Sequence, residues 1–380
     1  MHTFREYLYY ILKKRSEKAH RAYYRDYYKN YTDAFERCDQ KKAPGVIRRE
    51  IKALEKYWRV DPVHYYRYGF YRRDCALTLE QMKQYVPDFF AYYLVFPMSF
   101  KDRNMLCEDK QLMYAVNKGL GIRQPKTLFF IRGGRVLSEE LNPLDLSACR
   151  EILAGSKADK IFVKPTFGVG GKGIQVFNRR EDGFSDPLSG ERLDAEFLFG
   201  LAGEEYVVQE GVRQHAEMNE FYPHAVNTFR VITRCENGRA DIVLTLSRMG
   251  CGGRQVDNAS SGGVYVKINA LTGELGAEAI ADTRETFTAH PDTHRVFAGS
   301  RIPMWDQVRE FAISVAEKYA PIKYVGWDVA LSEEGPLLIE GNNGPSIEIT
   351  QDLYGGIKKY LDIDCPDDYW YSDKYSLKNL

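Results

Sequence analysis

Two apolar segments near the C-terminus carry oxygen-bearing side chains and are joined by a polar turn. From Gly326 the chain reads GWDVALSEEGPLLIEGNNGP, and residues 332–335 have the composition of a turn. A hairpin would place Asp328 beside Glu340, and the two-residue period of a strand would point Glu340 and Asn342 the same way. Two carboxylates and an amide oxygen suit Mg²⁺. Asp328, Glu340 and Asn342 are therefore predicted metal ligands; the alternative is an acidic strand end facing solvent.

The second informative feature of the sequence is a glycine-rich turn between two strand-like segments. The stretch IFVKPTFGVGGKGIQVF covers residues 161–177. Successive glycines let backbone N–H groups converge on an anion, and neighbouring lysines add positive charge. This pattern predicts a loop that closes over a triphosphate. The predicted contacts are Lys164, Gly168, Gly170, Gly171, Lys172 and Gly173.

Other glycine motifs fit this stretch less well. A dinucleotide fingerprint requires a helix after the glycines, whereas IQVF is typical of a strand. A Walker A loop needs Ser or Thr after its Gly-Lys pair, and Lys172 is followed by Gly173. A protein kinase needs H-R-D and D-F-G triplets, and the sequence contains neither. A plain glycine hairpin without ligand remains the open alternative.

In this order the segments resemble the ATP-grasp superfamily over residues 101–361. The resemblance implies a mixed α/β (α+β) fold with antiparallel sheets and a glycine-rich lid, preceded by a helical N-terminal domain. It also implies ATP and Mg²⁺ as cofactors. Lys110, in LCEDKQLMYAVNKGLGIRQPKT, would join Lys164 as a phosphate-binding lysine.

The resemblance also covers the nucleoside. YVVQEGV is similar to the hinge strand that binds adenine in this superfamily. It implies adenine contacts at Gln209, Glu210 and Val212. Glu217 is the candidate for the ribose hydroxyl groups.

Two further segments imply a reaction centre. NTFRVITR resembles the strand whose arginine faces the phosphoryl group, which would be Arg230. RMGCGGRQVDNASSGG resembles a segment of the ribosomal-protein glutamate ligases and places Arg248 and Asn258 at the reaction centre. D-alanine ligases carry an arginine where this chain has Gly326, so the missing charge would come from Arg230 or Arg248. Candidate substrate contacts are Asn227, Arg254, Lys267 and Ser346.

More narrowly, the chain resembles ATP-grasp proteins associated with sugar transfer in surface-polysaccharide assembly. The combination N-T-F-R, V-D-N-A-S-S-G-G and I-E-G-N-N-G-P carries this resemblance. It implies an ADP-forming ligase that joins an amino acid to a sugar acid or glycan-linked acceptor through an acyl phosphate. Two alternatives stay open: a kinase that phosphorylates a sugar hydroxyl, and a non-catalytic nucleotide-binding module for a glycan or membrane.

Composition limits the partners. The 380 residues contain 53 acidic and 53 basic side chains, so no overall attraction to nucleic acid is expected. Seven scattered cysteines indicate a reduced, cytoplasmic protein. Expected partners are small-molecule carboxylate and amine substrates, a glycan or lipid-linked sugar, and at most a peripheral membrane contact. A homodimer is an open option.

The predicted domains follow changes in pattern along the chain. Residues 1–100 are helical and tyrosine-rich, with a capping box at Thr78 and Gln81. Residues 101–212 form the first ATP-grasp part with the lid, 213–365 the catalytic part, and 366–380 a tail. The clearest amphipathic helix is predicted over 306–319.

Overall fold

The structure is a computed structural model that describes residues 4–100, 103–168, 170–257 and 262–370. The predicted catalytic residue Asn258 lies outside these ranges. Among the described helices, none combines the length and apolarity needed to cross a bilayer.

The helices are numbered in chain order. They are α1 (Phe4–Tyr27), α2 (Lys29–Arg37), α3 (Pro44–Trp58), α4 (Val63–Arg67), α5 (Leu79–Met82), α6 (Asp88–Phe90), α7 (Phe96–Phe100), α8 (Met105–Glu108), α9 (Lys110–Gly119), α10 (Leu146–Gly155), α11 (Ala195–Gly200), α12 (Ala216–Asn219), α13 (Trp305–Lys318), α14 (Ile347–Tyr354) and α15 (Pro366–Trp370). A π-helical turn (Ala91–Val95) links α6 to α7, and a 3₁₀ turn spans Lys358–Leu361.

Within the described residues the strands form two sheets, and every strand pairing there is antiparallel. They are β1 (Thr127–Arg132), β2 (Arg135–Leu137), β3 (Lys160–Pro165), β4 (Gln175–Arg180), β5 (Gly183–Ser185), β6 (Tyr206–Glu210), β7 (Thr228–Glu236), β8 (Arg239–Met249), β9 (Val264–Ile268), β10 (Leu275–Ala281), β11 (Thr286–Phe287), β12 (Tyr324–Ser332) and β13 (Gly335–Asn342). The first sheet has the order β2-β1-β6-β3-β4-β5 and the second β11-β10-β9-β8-β7-β12-β13. The antiparallel sheets expected from the sequence are confirmed.

The chain divides into two compact units. One combines Met1–Lys101 with Ser346–Leu380, and the other is Asp102–Pro345, which contains both sheets. In the first unit a salt bridge of 2.7 Å joins Arg67 of α4 to Asp352 of α14. The predicted domains grouped 346–365 with the catalytic part, whereas these residues fold with the N-terminal helices.

Side-chain caps define several helix starts. The hydroxyl of Thr78 accepts a hydrogen bond from the backbone of Gln81, and the side chain of Gln81 accepts one from the backbone of Thr78. The predicted capping box is confirmed. Asp109 caps α9 by accepting hydrogen bonds from the backbone N–H groups of Gln111 and Leu112. This cap fixes the helix start that presents Lys110.

The first sheet is two-faced because strand residues alternate. Ile161 and Val163 of β3 are fully buried in a core with Phe129 and Phe177. The intervening side chains of β3 point to the other face and are only partly buried. Phe162 and Lys164 therefore lie on the face that is not packed in this core.

Helix α13 packs on the second sheet, as the sequence predicted. Buried residues of this helix, including Val308, Ala312 and Val315, pack on strands β7, β8, β12 and β13. All nine residues of β12 are buried. Asp328 therefore enters the interior as part of a strand that is otherwise apolar on both sides of it.

Candidate active site

The register of four neighbouring strands brings the charged side chains together. Thr228 on β7 pairs with Arg248 on β8, and two residues along β7 Arg230 pairs with Asp328 on β12. Asp328 in turn pairs with Glu340 on β13. Directly opposed residues in antiparallel strands lie on the same face. The predicted hairpin and the proximity of Asp328 to Glu340 are confirmed.

A cleft connects this charged cluster with the glycine loop of the first sheet. It is lined by Lys110, Pro125, Phe162, Lys164, Pro165, Gly168, Gly170, Gly171, Lys172, Ile174, Glu210, Gly211, Val212, Val226, Thr228, Arg248, Gln255, Val256, Asp257, Ile339 and Glu340. The lining joins most of the predicted phosphate contacts to Arg248 and Glu340.

Both predicted phosphate-binding lysines reach the cleft. Lys110 Nζ donates a hydrogen bond to the carbonyl oxygen of Gly168 at 3.1 Å, which ties the start of α9 to the glycine loop. Lys164 Nζ donates to Gln209 Oε1 at 3.1 Å. Burial lowers the pKa of Lys164 to about 8, and the charge of Glu340 opposes that shift. An anionic phosphate beside Lys164 would stabilise its charged form.

The glycine loop depends on backbone conformations that other residues adopt poorly. Gly170, Gly171 and Gly173 have φ between 68° and 74°. A Cβ atom on Gly173 would lie 3.1 Å from Cγ of Pro165, so a side chain there would be both strained and crowded. Gly173 itself shapes the loop without lining the cleft.

The hinge after β6 contacts the cleft differently from the prediction. Glu210, Gly211 and Val212 line it, with Phe162 providing an apolar surface beside them. Gln209, predicted to bind adenine, is instead buried between Lys164 and Thr127, to whose hydroxyl it donates at 3.2 Å. Gln209 pairs with the cleft residue Phe162, whereas Glu210 pairs with the core residue Ile161 and its carboxylate accepts a hydrogen bond from the Ser156 hydroxyl at 2.8 Å, so the two side chains face opposite sides.

Asp328 is fully buried and pairs with two arginines. Arg230 contacts both carboxylate oxygens, at 2.5 Å from Nε to Oδ1 and 3.0 Å from Nη2 to Oδ2. Arg248 Nη2 donates to Oδ2 at 2.8 Å. Burial alone would raise the pKa of the Asp328 carboxyl, but the two guanidinium groups outweigh it and lower that pKa to about 2. Asp328 is therefore a carboxylate at neutral pH.

Gly326 makes room for this pairing. A Cβ atom at Gly326 would lie 2.8 Å from Cδ of Arg230 and 2.8 Å from Cβ of Pro345. The Arg230 side chain thus occupies the space above Gly326 on its way to Asp328. Arg230 and Arg248 supply positive charge beside Asp328, as the sequence hypothesis required.

The predicted metal ligands form a donor set that suits Mg²⁺. Asn342 Nδ2 donates to Asp328 Oδ2 at 3.2 Å, so the side chains of Asp328, Glu340 and Asn342 meet. Burial and the neighbouring charge of Asp328 raise the pKa of Glu340. A hard cation would relieve this repulsion, and carboxylate and amide oxygens are its preferred ligands. Asp328 would share its oxygens with the two arginines.

Several predicted contacts lie away from the cleft. Asn227 is buried, and its side-chain nitrogen donates to the carbonyl oxygens of Met218 and Tyr222 at 2.9 and 3.0 Å, which is a structural role. The other three within this unit are exposed and do not line the cleft: Glu217, Arg254 and Lys267. Ser346 is the residue before α14 in the first unit, and its substrate role stays a prediction.

Thr228 and Asp257 are cleft residues that the sequence reasoning missed. Asp257 is buried and accepts hydrogen bonds from the backbone N–H and hydroxyl of Thr228. Both belong to motifs already singled out, N-T-F-R and V-D-N-A-S-S-G-G. The sequence signal that could have identified them is that both are polar residues close to the predicted site residues Asn227, Arg230 and Asn258.

A second polar cluster, formed by Cys251, His290 and Asp292, resembles a metal site but has a structural explanation. His290 Nε2 lies 2.9 Å from the carbonyl oxygen of Gly250, which can only accept a hydrogen bond, so Nε2 carries the proton. Its Nδ1 accepts from the backbone N–H of Asp292 at 3.2 Å. Neither ring nitrogen therefore has a lone pair to offer a metal. Burial raises the pKa of Cys251 to about 11, which argues against a thiolate nucleophile.

A sequence profile described as sugar-transfer associated ATP-grasp matches residues 97–358. The chain belongs to this family. Its strand order and the cleft between its two sheets give the ATP-grasp fold, preceded here by helices α1–α7. ATP-grasp enzymes are ATP-dependent ligases that typically use Mg²⁺.

Solved structures similar to this ATP-grasp protein are distant. They include a biotin carboxylase from Campylobacter jejuni, with 13% identity and a TM-score of 0.39 over 68% of this chain and 46% of that chain. A D-alanyl-alanine synthetase A from Vibrio cholerae has 14% identity and a TM-score of 0.40, covering 73% and 74%. An N5-carboxyaminoimidazole synthetase from Staphylococcus aureus, complexed with ADP, has 13% identity and a TM-score of 0.36, covering 64% and 46%.

This ATP-grasp protein thus spans less than half the length of the biotin carboxylase. A search of curated proteins finds no significant match. The family membership rests on the profile match over residues 97–358 and not on the distant structural similarities.

Proposed function

We propose that the chain is an ADP-forming carboxylate–amine ligase that uses ATP and Mg²⁺ and acts through an acyl phosphate. One observation carries the proposal. A single cleft is lined by the predicted phosphate contacts, Lys110, Lys164 and the glycine loop, together with Arg248 and Glu340. This arrangement would hold the outer phosphates of ATP beside an acceptor carboxylate.

Nucleotide binding would use both sheets. Backbone N–H groups of the glycine loop and the two lysines would hold the phosphates. Phe162 and the hinge residues Gly211 and Val212 would contact the base. A Cβ atom at Gly211 would lie 3.0 Å from both Cβ and the carbonyl oxygen of Lys160, so only glycine fits this close approach of β3 to the hinge. Asp328, Glu340 and Asn342 would hold Mg²⁺, which neutralises phosphate charge.

The reaction would proceed in two transfers. A carboxylate oxygen of the acid substrate attacks the γ-phosphorus, and the bond from that phosphorus to the bridging oxygen of ADP breaks. An amine then attacks the acyl carbon, loses a proton and displaces inorganic phosphate. Arg248, at the cleft surface, would stabilise the charge on the phosphoryl and tetrahedral oxygens. Arg230 would assist Arg248 by pairing with Asp328, to which Arg248 also donates a hydrogen bond.

The proposed substrates are an amino acid and a sugar acid or glycan-linked acceptor used in surface-polysaccharide biosynthesis. The description of the family as sugar-transfer associated supports this choice. The proposal places the reaction in the cytoplasm, where ATP is available.

The test is nucleotide turnover by the purified protein with Mg²⁺ and pools of amino acids and uronic acids. Both ADP and free phosphate are measured. We expect phosphate release only when an acid and an amine are present together. ADP formed without free phosphate would indicate a kinase, and ATP binding without turnover in any pool, including lipid-linked glycans, would favour a binding module.

A pair of lysine variants controls this experiment. Lys164→Met should abolish turnover, because Lys164 lines the cleft. Lys52→Met, which changes an exposed lysine of α3 in the other unit, should leave it unchanged. Equal activity of both variants would contradict the proposed cleft.

A further inference from the structure

Thr228, Arg248 and Asp257 form a hydrogen-bonded group at one side of the cleft. Both the backbone N–H and the hydroxyl of Thr228 donate to Asp257 Oδ2, the former at 3.2 Å. Arg248 donates to Thr228 Oγ1 twice, at 3.1 Å from Nε and 2.9 Å from Nη2. Arg248 Nε lies 3.6 Å from Asp257 Oδ2, within ion-pair distance.

The donors and acceptors in this group have a fixed direction. A threonine hydroxyl carries one proton, and here that proton goes to the carboxylate of Asp257. The lone pairs of Thr228 Oγ1 then face the guanidinium group of Arg248, which can only donate. Each hydrogen bond in such a chain strengthens the next, so the charge of Asp257 reaches Arg248 through Thr228.

Arg248 is shared between two buried carboxylates. Its Nη2 also donates to Asp328 Oδ2 at 2.8 Å, while Arg230 on β7 donates to Asp328 Oδ1. Asp328 belongs to the predicted metal ligands, and a bound cation would compete with Arg248 for its oxygens. Asp257 is not one of these predicted ligands, so its connection to Arg248 through Thr228 does not depend on a metal.

We propose that Asp257 is the positioning residue for Arg248. Acting through Thr228, it keeps the guanidinium group at the cleft surface whether or not Asp328 is available to it. The inference rests on the proposed function, since Arg248 is taken to face the terminal phosphoryl group. Loss of Asp257 should therefore weaken binding of a nucleoside triphosphate more than binding of a diphosphate.

The first test measures nucleotide affinity by calorimetry with Mg²⁺, using ADP and a non-hydrolysable ATP analogue. Asp257→Asn and Thr228→Val should each weaken the ATP analogue about 10-fold or more, as expected for a lost hydrogen bond to a charged group. The ADP affinity should change less than about 2-fold, because Arg248 would not contact the two inner phosphates. Thr228→Ser keeps the hydroxyl and should restore wild-type binding of the ATP analogue.

A matched control separates positioning from structural damage. Thr245 lies on the same strand as Arg248, is fully buried and donates its hydroxyl to the carbonyl oxygen of Ile268 at 2.8 Å. Thr245→Val should lower thermal stability without changing the ratio of ATP-analogue to ADP affinity. Equal weakening of both nucleotides in Asp257→Asn, or wild-type affinities in Thr228→Val, would overturn the inference.

A second measurement needs no nucleotide. In protein with ¹⁵N-labelled arginine, the Arg248 Nε–H resonance, assigned by its loss in Arg248→Lys, should be protected from solvent exchange. Thr228→Ser should keep that protection, and Thr228→Val and Asp257→Asn should lose it. Unchanged protection in both would overturn the positioning role. Failure of the wild-type protein to bind either nucleotide, with these NMR changes present, would instead contradict the proposed function alone.

Discussion

The guanidinium group of Arg230 forms a two-point salt bridge with the carboxylate of Asp328, both side chains being almost completely buried. The two residues face each other across strands β7 and β12. Removing one partner of a buried pair leaves an uncompensated charge, at a cost of about 3–5 kcal/mol. This pair therefore contributes both to the shape of the site and to its stability.

Gly326→Ala should disrupt this salt bridge without touching either partner. The added methyl group would lie 2.8 Å from Cδ of Arg230, so the arginine side chain would have to move. We expect the free energy of unfolding to fall by about 1–3 kcal/mol through overpacking. Denaturant unfolding measures this. Gly45→Ala, at a glycine with open space around the Cβ position, is the control and should not be destabilising; equal effects would contradict the crowding at Gly326.

Glu340→Gln should have opposite effects on function and stability. Glu340 lines the cleft beside the charge of Asp328, and removing its own charge relieves that repulsion. We expect the nucleotide-free protein to keep or raise its melting temperature and to lose the additional stabilisation given by Mg²⁺ with ATP. Thermal unfolding with and without Mg²⁺ and ATP tests this. Full retention of the Mg²⁺-dependent shift would remove Glu340 from the ligand set.

Gln209→Leu should weaken nucleotide binding through Lys164. Gln209 Oε1 accepts a hydrogen bond from Lys164 Nζ and its side-chain nitrogen donates to the Thr127 hydroxyl, so its amide is paired within the protein and ATP and GTP should lose affinity equally. A loss of about 3- to 10-fold is expected for one hydrogen bond to a charged group. The double variant with Lys164→Met should bind no more weakly than Lys164→Met alone. A change in base preference would restore Gln209 to the adenine site.

His64 should make the stability of the protein depend on pH. Burial lowers the pKa of His64 to about 3, and neither ring nitrogen has a hydrogen-bond partner. Below about pH 6.5 His64 binds a proton in the unfolded chain but stays neutral in the folded protein. The contribution of His64 to stability should therefore be constant above about pH 7 and should fall as pH decreases towards 3, by up to about 1.4 kcal/mol per pH unit.

His64→Leu should flatten that dependence, as measured by denaturant unfolding between pH 5 and 7. It should also match or exceed the wild-type stability at neutral pH, because two unpaired buried nitrogens are removed. His224→Gln, at an exposed histidine, is the control and should leave the slope unchanged. The same slope in His64→Leu as in the wild type would rule out a buried neutral His64.

Local patterns in the sequence were enough to predict the elements that carry the site. The period of two in the segments around Asp328 and Glu340 predicted the hairpin, and the register of β12 with β13 confirms it. Helix α13 and the strands on each side of the glycine loop were also predicted correctly. These features depend on residues close in the chain, where hydrophobic periodicity and turn composition act directly.

Contacts between residues far apart in the chain were harder to predict from the sequence. The sequence indicated that Arg230 or Arg248 would replace the charge missing at Gly326, but the structure adds that Gly326 accommodates the Arg230 side chain. Asn227 looked like a substrate contact and is used instead to hold the turn at Met218 and Tyr222. A polar residue beside a motif does not reveal whether its side chain faces the cleft or the backbone behind it.

The sequence by itself determined the family, the glycine loop, and the positions of the two lysines and of the predicted metal ligands along the chain, because each belongs to a short run of residues. Only the tertiary structure decided that residues 346–370 fold with the N-terminal helices and that Asp257 is coupled to Arg248 through Thr228. The physical reason is that the pairing of β7 with β8 and β12 fixes which buried charges face one another. That pairing joins Thr228 to Arg248, 20 positions later, and Arg230 to Asp328, 98 positions later.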